Sequence, residues 1–160
     1  MIERMVVSFE VVTRSPRSVQ DLFDRARSID LHTESQAASR ERAIGGVVSG
    51  RIGLGEEVTW RARHFGVPLR LTSAVTAVDA PHSFTDEQTR GPFRSFRHEH
   101  RFESEGSGSV MFDRLVFSAP LGVLGRLAER LVLERHLRRL ILQRGVFLAA
   151  PTAAADGRHD

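Results

Sequence analysis

The stretch FTDEQTRGPFRSFRHEHRF, Phe84 to Phe102, sets the architecture of the chain. It reads as two strands joined by Arg90-Gly91-Pro92-Phe93, because glycine and proline together mark a turn. Strand side chains alternate between two faces. In the first strand Phe84, Asp86, Gln88 and Arg90 share one face, against Thr85, Glu87 and Thr89. In the second, Arg97, Glu99, Arg101 and Glu103 form a solvated face, which leaves Phe96, His98, His100 and Phe102 looking inward. Polar groups on an inward face need partners or water. Two imidazoles on the concave side of a sheet therefore point to the wall of a pocket rather than a dry core.

Further strands surround this hairpin. Residues 3–13 alternate Met5, Val7, Phe9 and Val11 against Val6, Ser8, Glu10 and Val12. Glu41–Val48 is a weak strand, followed by glycines at 45, 46, 50, 53 and 55. Glu56–Phe65 places Val58, Trp60, Ala62 and His64 on one face, and Gly66-Val67-Pro68 reads as the next turn. Leu69–Val78 alternates Leu71, Ser73, Val75 and Ala77 against Arg70, Thr72, Ala74 and Thr76. After a hairpin loop at Glu105-Gly106-Ser107-Gly108, Ser109–Ser118 turns Met111, Asp113, Leu115 and Phe117 one way. Short strands at this spacing indicate an antiparallel meander.

Helices flank the strands. Ser15-Pro16 suits a helix start, serine as cap and proline in the first turn. Val19, Leu22, Phe23 and Ala26 then form a helical stripe. A second short helix is expected over Ile29–Ala38 with Asp30 as its cap. A long helix is expected over Gly122–Ala149, after Pro120. Its apolar stripe is Leu124, Leu127, Ala128, Leu131, Leu133, Leu137, Leu140 and Ile141, with Arg126, Arg130, Arg135, Arg138, Arg139 and Arg144 on the solvated sides. Glu134 and Arg138 are an i, i+4 pair worth a few tenths of a kcal/mol. The expected class is α+β: a curved antiparallel sheet of about seven strands gripping one long C-terminal helix, with two short helices after the first strand. Residues 1–149 form a single domain in this reading and 150–160 a disordered tail. One helix cannot fill such a sheet, so a cavity between them is expected.

Composition narrows the function. The 23 Lys+Arg residues, against 20 Asp+Glu, give a net charge of +3, and all 23 are arginine. The pI of about 11.0 reflects an absence of lysine, tyrosine and cysteine to buffer above histidine, so it does not argue for nucleic acid. With no cysteine, disulfides, thiolate zinc sites and thiol nucleophiles are excluded. The opening MIERMVVSFEVV has charges among its apolar residues, so neither a signal peptide nor a spanning helix is expected, and a cytoplasmic location follows. The glycines at 45–55 form no phosphate-binding fingerprint. The apolar stripe of the last helix is needed by the sheet, which leaves no membrane-inserting face.

Several motifs resemble the START-like helix-grip superfamily (SRPBCC), which includes polyketide cyclase/dehydrase, lipid-transfer and pollen-allergen relatives. They are Glu57-Val58-Thr59-Trp60-Arg61-Ala62-Arg63-His64-Phe65-Gly66, Phe84-Thr85-Asp86-Glu87-Gln88, Gly91-Pro92-Phe93 and His98-Glu99-His100-Arg101-Phe102, with Asp113 and Pro120 after them. The look is similar to the bacterial ligand-binding, cell-division-inhibitor-like branch, over about residues 3–148. The resemblance implies the helix-grip fold and, for function, a carrier, a receptor or a cyclase.

The expected function is the binding of a small, mostly hydrophobic or amphipathic molecule between the sheet and the last helix. Trp60, Leu71, Phe84, Phe96, Phe102 and Phe117 are expected as apolar wall. His64, Asp86, Gln88, His98, His100 and Asp113 are expected as polar contacts. The alternative is a cyclase- or dehydratase-like enzyme with His98, His100, Asp86 and Asp113 as acid/base candidates, since a histidine held by an aspartate accepts protons near neutral pH. A protein-interaction module is a third reading. His98-x-His100 also has the spacing of a metal chelate, with Asp86, Asp113 or His64 as third ligand. The favoured reading of that pair is hydrogen bonding within a polar pocket, so no metal and no cofactor are expected, and no nucleic acid as partner.

Overall fold

A computed structural model describes residues 6–119 and 129–151. The strands are β1 (Val7–Ser15), β2 (Arg42–Gly46), β3 (Glu57–His64), β4 (Val67–Asp79), β5 (Ser83–Arg90), β6 (Ser95–Glu105) and β7 (Gly108–Ser118). They form one antiparallel sheet in the order β1-β7-β6-β5-β4-β3-β2. Helices α1 (Val19–Ala26) and α2 (Ile29–Ser35), then a 3₁₀ turn at Ala37–Ser39, fill the connection from β1 to β2. A π-helical turn at Glu129–Leu133 leads into α3 (Glu134–Ala149), which packs on β1, α1 and α2. The expected α+β architecture, a curved sheet holding a C-terminal helix, is the one found.

Element ends differ from the sequence reading for local reasons. Ser15 closes β1. The cap of α1 is Ser18, whose Oγ accepts from Asp21 N, and Ser28 caps α2 through Leu31 N. Asp30 instead accepts from Gly50 N, tying α2 to the loop before β3. The turn after β3 is Phe65-Gly66, with φ of 50° and 75°, so Val67 and Pro68 join β4. Both central residues of such a two-residue hairpin need positive φ, which glycine supplies freely and Phe65 does not. The β4–β5 pairing slips between Val75 and Ala77. That bulge shifts the alternation, so Ala77 is exposed and Val78 is the residue packed inward. Bulges also bend a sheet.

Among the described residues three apolar clusters hold the fold. Leu22, Phe23, Ala26, Phe84, Phe102, Met111 and Leu148 join α1 and α3 to mid-sheet. Phe9, Val11, Leu115, Phe117 and Ile141 pack α3 on β1 and β7. Ile29, Ile52, Val58, Trp60 and Val75 pack α2 on the β3–β4 side. The last carbonyls of α3 have no intrahelical donors. Arg25 Nε reaches Leu148 O at 2.9 Å, Arg17 Nε reaches Ala150 O at 2.8 Å and Ser15 Oγ reaches Ala149 O at 3.1 Å.

The predicted helical stripe needs two changes. Leu131 lies in the π turn and is exposed, because five residues wound i→i+5 rephase the helix faces. Arg144, assigned to the solvated side, is buried. The Glu134–Arg138 pair forms at 3.1 Å. Met5, Pro120, Gly122, Leu124, Arg126, Leu127, Ala128 and the tail beyond Pro151 lie outside the described residues.

Gly145 marks where α3 meets β1. A Cβ there would lie 2.3 Å from Thr13 Oγ1 and 3.3 Å from both Thr13 Cβ and Cγ2, so rotating the threonine does not clear it. Gly145→Ala is expected to destabilise the protein in urea melts. Overpacking costs about 1–3 kcal/mol, more than the gain of about 1 kcal/mol in helix propensity. Adding Thr13→Ala should restore the loss.

Candidate functional site: a cavity with a buried histidine–aspartate network

A cavity of about 270 Å³ lies between the sheet and α2 and α3. Its walls are mostly apolar, with Trp60, Leu71, Phe84, Phe93, Phe96 and Ile141 among them. Trp60 stacks on His32 of α2 at 4.1 Å between ring centres, so the sole tryptophan bridges sheet and helix at the wall.

The strand register brings the polar residues together. Asp86 pairs with His98, and His100 pairs with both Phe84 and Asp113. All of these point inward, as the alternation demanded. Asp113 Oδ1 accepts from His100 Nδ1 at 2.7 Å and from His98 Nε2 at 3.0 Å. His100 Nε2 donates to Asp86 Oδ2 at 2.9 Å. Phe84 stacks on the His100 ring at 4.1 Å. The exposures of Asp113 and His100 are 0% and 1%, so neither carboxylate nor imidazole there can rely on bulk water.

Charge is distributed unevenly. Burial works against a charged ring at His100, but hydrogen bonds to Asp113 and Asp86 outweigh it and raise its pKa. His100 therefore donates from both nitrogens as an imidazolium. Burial, then the adjacent His100 charge, pushes the His98 pKa down. His98 is thus neutral with its proton on Nε2, toward Asp113. Its Nδ1 makes no hydrogen bond among the described residues and remains an acceptor on a side chain that lines the cavity. Burial would raise the carboxyl of Asp113, yet the bonds from His100 and His98 hold it far below the usual range. At Asp86 burial is likewise outweighed, first by the His100 hydrogen bond.

A second polar group occupies the cavity wall. His32 Nε2 and Glu41 Oε1 are 2.6 Å apart, and His64 Nδ1 meets His136 Nε2 of α3 at 3.0 Å. Burial would raise the Glu41 carboxyl, but His32, and beyond it His64 and Arg144, lower it. Asp86, His98 and His100 also offer donor atoms within 4.8 Å of one another, a spacing a metal ion could bridge. Both His100 nitrogens are taken up in hydrogen bonds to Asp113 and Asp86, so that ring would have to break one of them to hold an ion.

Trp60, His64, Leu71, Phe84, Asp86, Phe96, His98 and His100 all line the cavity. Gln88, Phe102, Asp113 and Phe117 do not. Gln88 spends its amide on the β5–β6 loop, donating to Phe93 O at 2.8 Å and accepting from Phe93 N at 3.2 Å. A Cβ at Gly91 would lie 2.4 Å from Gln88 Oε1, so a side chain there would displace the Gln88 amide from the loop. Phe102 packs on Phe23, Phe117 packs on Phe9 and Val11, and Asp113 sits behind the two histidines. Sequence reasoning missed His32, Glu41, Phe93, His136 and Arg144. For Arg144 a signal existed: Leu137, Ile141, Arg144 and Leu148 recur at i, i+4, i+7 and i+11, which places the arginine on the inward stripe.

No family model and no curated protein matches the sequence. Solved structures do match. TTHA0849 from Thermus thermophilus superposes with a TM-score of 0.71 at 15% identity, over 91% of this chain and 94% of that one. Ara h 8.0201 gives 0.58 at 16% identity, over 91% and 100%. The di-domain ARO/CYC StfQ from the steffimycin biosynthetic pathway gives 0.69 at 15% identity, over 91% of this chain and 50% of StfQ. Among the described residues no helix is long and apolar enough to cross a membrane. With seven antiparallel strands curved around a C-terminal helix, this chain has a helix-grip α+β fold, which it shares with those structures.

Proposed function

We propose that the protein binds a small, mostly hydrophobic molecule in the cavity between sheet and α3, as a carrier or sensor. The observation that carries this reading is a cavity of about 270 Å³ with mostly apolar walls and a few convergent polar groups. Such a combination is what small-molecule sites share. A polar end of the ligand would meet His98, whose Nδ1 is uncommitted, beside Asp86.

Native mass spectrometry of protein purified from its own host tests the reading directly, with a retained small molecule expected. Trp60 supplies a second readout. It is the sole tryptophan and lines the cavity, so ligand entry is expected to change its emission. Absence of both a retained molecule and any Trp60 response across a panel of apolar ligands would sink the carrier reading.

A cyclase- or dehydratase-like activity is the second reading. The observation favouring it is the His98–Asp113 pair, a neutral imidazole oriented by a carboxylate and able to accept a proton at Nδ1. Turnover of a polycarbonyl substrate, lost in His98→Ala without loss of the fold, would support it. The interaction-module reading gains no support from a cavity of this size.

A further inference from the structure

Arg144 is the group the proposed ligand reading leaves unexplained. It rises from α3 into the cavity wall and is 7% exposed. Nη2 donates to Ala26 O at 2.6 Å. Among the described residues Nε is buried with no partner and Nη1 makes no hydrogen bond; Asp113 Oδ1, at 4.0 Å, is too far to accept one. A guanidinium has five N–H donors. Burying one with a single hydrogen bond is costly unless something else accepts from it.

The surrounding charges say what kind of acceptor fits. Arg144 lies near Asp113 and adds a minor attraction to Asp86 and Glu41, whose carboxyls burial would raise and His100 and His32 chiefly hold down. These three carboxylates are set against two cations, Arg144 and the His100 imidazolium held between Asp113 and Asp86. A further anion in this space would add to that excess of negative charge. A neutral acceptor oxygen would add no such charge. His98, bonded to the same Asp113 oxygen, lies close by.

The geometry points to Arg144 as the polar anchor of the cavity, receiving a neutral, largely apolar ligand that carries a ketone, ester or quinone oxygen, with that oxygen on Nη1. This rests on the ligand-binding reading above. It adds a specific residue and a specific functional group.

The test compares three fluorescent probes. Prodan is a neutral naphthalene with a propionyl ketone, phenylnaphthylamine is neutral without a carbonyl, and anilinonaphthalene sulfonate is anionic. A hydrogen bond to a charged donor is worth about 1.5–3 kcal/mol, or about 10- to 150-fold in Kd. Prodan is therefore expected to bind wild type at least about 10-fold more tightly in Kd than either other probe. In Arg144→Met its Kd is expected to rise by about 10-fold or more and its emission to shift to the blue, with phenylnaphthylamine binding within twofold. Arg144→Lys keeps the charge the acids require and removes the Nη1 donors, so it guards against a variant that fails to fold. The same selective loss is expected there. Equal weakening of both neutral probes, unchanged prodan binding in Arg144→Lys, or tighter Arg144-dependent binding of the sulfonate would each overturn the assignment while leaving the cavity reading intact. Failure of all three probes to bind wild type would overturn the cavity reading itself, and the anchor with it.

Discussion

Asp113→Ala is expected to lose about 3–5 kcal/mol of folding stability, the usual cost of removing one partner from a buried charged pair. Asp113 is fully buried and one of its oxygens accepts from both His98 and His100. Without it the His100 charge keeps only Asp86, Arg144 loses its nearest carboxylate, and His98 Nε2 has no acceptor. Asp113→Asn keeps the volume and one acceptor, so it should cost less than alanine. Urea melts measure both, and a loss under about 1 kcal/mol for the alanine variant would mean the network is not as buried as described.

The same network sets a pH dependence. Asp113 and Asp86 have folded values below the ordinary 3.8. Their stabilisation is therefore present above that value and lost as pH falls through the lowered range. His98, lowered from 6.5, also contributes stability above 6.5 that is lost on acidification. His100, raised from 6.5, contributes the opposite way: its share is present below 6.5 and lost as pH rises past its raised value. The two histidines oppose each other near neutrality, so the steep loss is expected below about pH 4, from the two aspartates. Asp113→Asn should flatten that acid limb in melts taken between pH 3 and 7.

Phe102→Ala carries the second large effect, about 3–5 kcal/mol, the range for emptying a buried phenylalanine site. Phe102 is 1% exposed, meets Phe23 edge-on at 5.6 Å and lies parallel to Phe84 at 6.1 Å. Because it packs beneath α1 rather than on the cavity, the folded variant should bind an apolar probe within about threefold of wild type. A large change in probe affinity with little change in stability would instead return Phe102 to the ligand wall. Equilibrium unfolding and probe titration on one preparation separate the two outcomes.

Much of the site was visible in one hairpin. Alternation placed Asp86, His98 and His100 on the inward face and Asp113 on the facing strand, because pleat geometry allows no other arrangement without a bulge. What alternation does not provide is depth. Phe96 and Phe102 share a face of β6, yet one lines the cavity and the other is core, because α1 covers only one end of the strand. Gln88 shared the inward face with Asp86 but turned to its own loop, where a backbone N–H and C=O needed partners.

The strand pairing, the α+β class and the polar cluster on a concave face were all legible in the chain, since they follow from periods of two and 3.6 residues and from turn residues. Packing in three dimensions settled which inward residues meet the cavity, that the surroundings favour a charge on His100 and disfavour one on His98, and that Arg144 is buried. Those outcomes depend on where α2 and α3 lie across the sheet, because burial and neighbouring charge, not residue type, set what a titratable group does.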